Sequence, residues 1–202
     1  MTPAPLRKDA ARNWQQIVDT ARRFVDEGTP LRLNDVARVA SIGVATVYRH
    51  FPTSEALLET IARPALERLV VRAERALTDD DAGAAFAGFL LAGIDAQLAD
   101  ASVQPVFAAA AHALPETTEL VARLSAATGR LLDRARSAGA VRADLDQDDV
   151  VRLMCGVVFA AGVHATADER AALTRRYLHV VLAGLSPGPV AGPWSAARPC
   201  DG

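Results

Sequence analysis

The stretch Leu33–Leu58, LNDVARVASIGVATVYRHFPTSEALL, leaves this chain few folds to choose from. Val36, Ala37, Ala40, Ile42 and Val47 supply small apolar contacts at spacings that let two short helices pack steeply against each other. Ser41 and Gly43 stand where the chain must turn between them. Thr46, Tyr48, Arg49 and His50 then fall on a second helix too short to hide its polar side chains. Pro52 pushes Phe51 out of the α region and ends that helix. Thr53 or Ser54 caps the next one, with Glu55 in its first turn. A rigidly packed short helix that displays polar groups suits the major groove of DNA. The unpaired N–H groups and partial positive charge at the start of the third helix suit a phosphate.

With 202 residues the chain is one medium domain, or a small module joined to a larger one. Half the residues are apolar, with Ala dominant and little alternation, which predicts an all-α protein. The formal net charge of −2 excludes a polybasic coat, so any DNA contact must come from local charge. Cys155 and Cys200 suggest neither a disulfide framework nor a metal site, which points to a reducing cytoplasm. The N-terminal residues have no apolar signal core. No stretch of about 18 apolar residues is expected, and so no membrane span.

Along the chain, residues 1 to about 6 read as a flexible arm. A helix from about Lys8 to Glu27 carries one apolar stripe of Trp14, Ile17, Val18, Ala21, Phe24 and Val25, and Gly28 is its stop. After the helix-turn-helix, a helix from Ser54 to Ala76 is expected to break or kink at Pro64 and so separate two lobes. Further helices are expected to about Leu98, from Val103 to Leu114, from Pro115 to Ser137, from Asp146 or Asp148 to His164, and from Asp168 to Leu185. That gives about nine helices. The predicted domains are a three-helix DNA-binding unit over 1–62 and a ligand-binding and dimerisation bundle over 63–186. The Pro- and Gly-rich 187–202 reads as a flexible tail.

The remaining chemistry is sparse. His50, His112, His164 and His179 are scattered without ligand spacing, so no metal is expected. There is no Gly-rich phosphate loop, nucleophile elbow or His–Cys pair, and the acidic runs at 79–81 and 144–149 read as caps and solvated turns, so no enzyme is expected. Phe86, Phe89, Leu90, Phe107, His112, Leu131, Met154 and Phe159 are either plain core or the lining of an apolar cavity with a polar anchor in His112. The helix before His164 is apolar nearly all round. It therefore needs cover on two sides: either a buried place in a monomer or a partner copy. In the second reading Val157, Val158, Ala161, Tyr177, Leu178, Val181 and Leu182 form a four-helix interface of a homodimer.

Val36-Ala37, Thr46-Val47-Tyr48-Arg49-His50-Phe51 and Glu55-Ala56-Leu57-Leu58 resemble the DNA-binding module of the tetracycline-repressor (TetR) family of bacterial transcriptional regulators. The match in polar and apolar positions covers more than 20 residues; the rest of the chain matches in length and helix order. Ser41-Ile42 stands where the family has Gly-Val, with Gly43 one or two positions later, which bears on the cap of the second helix. Ser54 replaces a usual Lys, and Arg32 stands near the usual Ser or Thr cap.

The resemblance implies a homodimeric, ligand-responsive repressor of a palindromic double-stranded operator, with an unknown small-molecule effector and no other cofactor. It implies backbone contacts from Thr46, Tyr48 and His50, with Thr53 and Ser54 at the phosphate clamp. Gly43, Val44 and Ala45 would face the bases. They offer contact to a thymine methyl but no bidentate pairing. Arg49 and Asn34 are then candidates for sequence reading, beside DNA shape. Two other classes stay open here: a helical ligand-binding protein whose module no longer binds DNA, and a small helical enzyme using a bundle cavity.

Overall fold

The computed structural model describes residues 4–188, with the backbone alone for 4–8, 167 and 168. Among the described residues there are nine α-helices and no strand: α1 Ala4–Asp26, α2 Leu33–Val39, α3 Val44–His50, α4 Ser54–Ala76, α5 Ala82–Ala99, α6 Val103–Ala108, α7 Pro115–Ser137, α8 Gln147–Gly162 and α9 Ala167–Leu185. The chain divides into two compact units, one of residues 1–72 with 95–126, the other of 73–94 with 127–202. The tail expected over 187–202 lies, from residue 189 on, outside the described residues.

In the first unit α1, α2, α3 and the start of α4 close on one core. Ile17, Ala21, Val36, Ala37, Val47, Leu57 and Ile61 are essentially inaccessible there. Trp14 remains partly exposed but sets its ring 6.2 Å from that of Phe51, so α1 grips the end of α3. Helix α1 starts at Ala4, earlier than the expected arm allowed. Its end follows the sequence: Gly28 takes φ +67°, Thr29 N–H reaches the Phe24 carbonyl at 2.8 Å and Gly28 N–H that of Val25 at 3.1 Å. That is a Schellman stop with glycine at the left-handed position.

Helix α4 does not end at Pro64. It runs from Ser54 to Ala76 with the proline inside. A proline removes one N–H and disturbs the carbonyls of the turn before it. Arg22 Nη2 donates to the carbonyl of Ile61 in that turn at 2.5 Å, which ties α1 to α4 beside the proline. Helix α6 stops at Ala108, well short of the expected Leu114. The N–H groups of Ala113 and Leu114 instead donate to the Glu59 carboxylate at 2.7 and 2.9 Å. The chain must also leave the α region before Pro115, which opens α7.

In the second unit α8 packs on α9. Asp146 caps α8 and Thr166 caps α9, each in a reciprocal capping box with Asp149 and Glu169. Arg134 on α7 donates to the carbonyls of Ala76 at 3.3 Å and Leu77 at 2.7 Å, and to that of Asp79, which closes the C-terminus of α4. Helix α5 is the one described helix long and apolar enough to cross a membrane by length and composition, an 18-residue apolar stretch that the sequence reading had not singled out. Its Phe86, Phe89, Leu90 and Ile94 are buried in the fold, while Leu91 is exposed.

Candidate functional site

The helix-turn-helix is built as its sequence demands. Val36 and Ala37 of α2 and Val47 of α3 are fully buried, which fixes the two helices against each other. The turn repeats the ending of α1 with a different residue. Ile42 N–H donates to the Ala37 carbonyl at 3.0 Å and Ser41 N–H to that of Arg38 at 3.3 Å, with Ser41 at φ +54°. A serine therefore holds the left-handed position that glycine holds at Gly28. Gly43 sits at φ −58° as the N-cap of α3, without a side-chain cap, so its glycine is not required by the backbone.

Burying Val47 turns the opposite side of α3 outward. Val44 (48% exposed), Ala45, Tyr48 (46%) and Arg49 are displayed, while Thr46 and His50 are half-buried. The His50 ring lies 6.4 Å from that of Phe51, itself buried. Asn34 of α2 is exposed, beside an Asp35–Arg38 ion pair of 3.2 Å on the same helix. Arg32, at the N-cap of α2, makes no side-chain cap. At the start of α4 the Thr53 hydroxyl accepts the Ala56 N–H at 3.1 Å, which makes Thr53 rather than Ser54 the cap. The structure thus brings Gly43, Val44, Ala45, Thr46, Tyr48, Arg49 and His50 onto or beside one seven-residue helix, flanked in sequence by Asn34 and by Thr53 and Ser54.

The other expected sites fare less evenly. Phe86, Phe89, Leu90, Leu131 and Met154 are buried in the second unit, whereas Phe107 and His112 belong to the first. Phe159 is 70% exposed, so it lines no cavity; α8 turns it outward. Of the expected interface residues, Val157, Val158, Ala161 and Leu178 are buried within the chain itself, and Tyr177, Val181 and Leu182 are half-buried. The apolar groups that α8 and α9 leave to solvent are Val151, Leu153, Phe159 and Val180. Cys155 is half-buried, and burial pushes its thiol up, away from the reactive thiolate. Cys200 lies outside the described residues. Among the described residues no three His, Cys, Asp or Glu side chains gather as a metal site. A shallow groove of about 500 Å³ between α1 and the end of α2 is lined by Arg12, Gln15, Asp19, Arg23 and Val39 and is bridged by Gln16, whose Nε2 donates to the Ala40 carbonyl at 2.7 Å.

Two polar ties in the first unit escaped the sequence reading. Arg22 on α1 pairs with Asp100 in the turn after α5, and Glu59 on α4 holds the chain ahead of α7. The signal for Glu59 was an acidic residue in a mostly apolar run, Ala56 to Ala62; nothing local marked Arg22.

A helix-turn-helix with an exposed, partly polar second helix, carried on a chain of α-helices, defines the class: a DNA-binding regulator. Residues 81–187 match the family described as the transcriptional regulator SbtR-like, C-terminal domain, of the TetR group. An HTH-type transcriptional regulator of Staphylococcus aureus is 27% identical over 77 residues, 37% of this chain and 40% of that protein, so the match spans about two-fifths of that relative's length. A TetR transcriptional regulator from Streptomyces coelicolor is 29% identical, with 86% of this chain and 98% of that one covered and a TM-score of 0.52. The regulator RolR, solved with its ligand resorcinol, shares the fold at 21% identity and a TM-score of 0.55, with 89% and 90% covered. The chain belongs to the TetR family of DNA-binding transcriptional regulators, and it is not an enzyme.

Proposed function

We propose that this regulator is a repressor that binds a palindromic operator as a homodimer and releases it when a small molecule occupies its helical bundle. The observation that carries the DNA half is the outward face of α3, with Val44, Ala45, Tyr48 and Arg49 exposed over a fully buried Val47. Tyr48, with Thr46 and His50, holds the phosphate backbone. Arg49 and Asn34 reach base edges, and Val44 and Ala45 meet thymine methyl groups. The N-terminus of α4, capped by Thr53 and beginning at Ser54, faces a phosphate.

The homodimer reading rests on the apolar groups that α8 and α9 expose, Phe159 and Val180 above all, at 70% and 67%. A two-fold axis through that face matches a palindrome with half-sites about 34–36 Å apart. The effector reading rests on the shared fold with RolR, whose structure holds resorcinol. The effector favours a state whose recognition helices fit DNA poorly, and its effect equals its differential affinity for the two states. A protein that works on a bacterial operator works in the cytoplasm.

Fluorescence anisotropy with the DNA upstream of the chain's own gene tests the reading. Sequence-dependent binding that weakens steeply with salt is expected. Equal affinity for that DNA and a scrambled duplex would overturn it.

A further inference from the structure

Around the junction of α4 with the start of α7, three buried polar atoms have no hydrogen-bond partner: Arg63 Nε, His112 Nδ1 and Thr117 Oγ1. Thr117 is completely buried as a residue. The Glu59 hydrogen bonds and the spacing along the chain place the residues that carry these atoms around one junction. Glu59, itself buried, accepts the N–H groups of Ala113 at 2.7 Å and Leu114 at 2.9 Å. Arg63 lies four residues on from Glu59, on the same face of α4. His112 precedes Ala113 in the chain. Thr117 is one turn past Leu114, whose carbonyl its own N–H reaches at 3.1 Å. All these residues belong to the first compact unit.

Buried polar groups in folded proteins are nearly always paired, so three orphans at one junction call for a missing partner. The chemistry of that partner is constrained. A guanidinium Nε–H can only donate, whereas a threonine hydroxyl and a neutral imidazole can each donate as well as accept. The partner common to all three is therefore an acceptor, and a guanidinium favours an anionic one with planar oxygens. Glu59 does not fill the role in this structure: its oxygens hold the N–H groups of Ala113 and Leu114, and Arg63 Nε has no bond to it. Beside the junction, Leu58, Phe107 and Leu120 are only half-buried and pack against the small core of α4 and α6. Leu120 shares the α7 face of Thr117 at i+3. An apolar body next to the acceptor completes the description.

We propose that Arg63, His112 and Thr117 bind the carboxylate of an apolar carboxylic acid, whose hydrocarbon part lies on Leu58, Phe107 and Leu120. This names the effector class and rests on the reading of the chain as a ligand-responsive regulator. Glu59 makes the site consequential, since it ties the helix carrying Arg63 to the segment carrying His112.

Calorimetry on the full chain with benzoate and decanoate, against benzamide and decanol, tests the site. At least one carboxylate is expected to bind ten-fold or more tightly than its neutral counterpart. Arg63→Met is expected to abolish that preference while leaving binding of the neutral molecule within two-fold. Thr117→Val, which keeps the shape, is expected to weaken the carboxylate alone. Neither substitution removes an existing hydrogen bond of these side-chain atoms, so the ligand-free melting temperature should not fall; a large fall in both would mean that the groups are structural and overturn the proposal. Failure of both carboxylates to bind, or equal affinity of acid and neutral partner, overturns it as well. Operator release by a neutral apolar molecule, unaffected by Arg63→Met, would overturn this site and leave the regulator reading standing. Carboxylate binding that leaves operator affinity unchanged would uphold the site and overturn the ligand-responsive reading.

Discussion

Arg22 on α1 and Asp100 in the turn after α5 form an ion pair of 2.8 Å, and the same guanidinium reaches the Ile61 carbonyl on α4. One side chain thus joins three elements of the first unit and supports the turn ahead of Pro64.

The pair makes stability depend on acid pH. Burial opposes the charge on Asp100, but hydrogen bonds from the Ser102 side chain, from Arg22 and from the Ser102 N–H, together with the Arg22 charge, outweigh it and hold the carboxyl below its usual range. The folded pKa thus lies below an unfolded value of about 3.9, so the stabilisation is complete above that pH and is lost as pH falls through the folded value. Asp100→Asn should cost about 2 kcal/mol at pH 7, less than for a fully buried pair because Arg22 is partly exposed. That is a fall in Tm of roughly 4–8 °C for a chain of this size. Thermal melts of both proteins from pH 7 to pH 3 should show the gap narrowing only at the acid end.

Ser41 offers the opposite sign. A left-handed serine costs about 1–2 kcal/mol, and a glycine in its place gives back roughly 0.4–1 kcal/mol in the unfolded chain. Ser41→Gly should therefore stabilise by about 0.5–1 kcal/mol and raise Tm by a few degrees. A melt that shows no gain would mean that the Ser41 side chain holds the turn in some other way.

Glu59→Gln keeps the shape but turns one of two acceptors into a donor facing a backbone N–H. A buried donor left without a partner costs about 1–3 kcal/mol. Urea denaturation should show that loss with an unchanged m-value.

At the DNA face, Arg49→Ala should weaken operator binding by about 1–3 kcal/mol and relax the preference at one base pair. Tyr48→Phe should weaken all sequences alike. Anisotropy titrations over single-base operator variants separate the two patterns, and a uniform loss for Arg49→Ala would move that residue to the backbone contacts.

Phe159→Glu should give a monomer in size-exclusion chromatography with little change in the melting of the monomer, because the side chain is exposed. Val158→Asp should destabilise the fold itself, because Val158 is buried within the chain. A Phe159→Glu protein that stays dimeric would place the interface elsewhere.

The helix-turn-helix was legible because its information is local. Burial at Val36, Ala37 and Val47 follows from spacing within a dozen residues, and the display of Tyr48 and Arg49 follows from burying Val47. The helix stop at Gly28 and the caps at Thr53 and Asp146 were readable for the same reason. The expected pocket and interface fared worse, because which face of α8 and α9 turns inward depends on what packs against them. Two apolar faces on one helix look alike in sequence, so the expected interface took in Val158, which is buried within the chain, and the expected pocket took in Phe159, which is exposed.

By itself the sequence determined an all-helical chain with a DNA-binding module at Leu33–Leu58, since short-range periodicity and turn chemistry suffice for that. Tertiary structure alone decided that α6 stops at Ala108 and that Arg63, His112 and Thr117, on elements joined through Glu59, each keep a buried atom unpaired. Both depend on a partner far away in sequence, Glu59 for Ala113 and Leu114, and a hydrogen bond across 54 or 55 residues leaves no local trace.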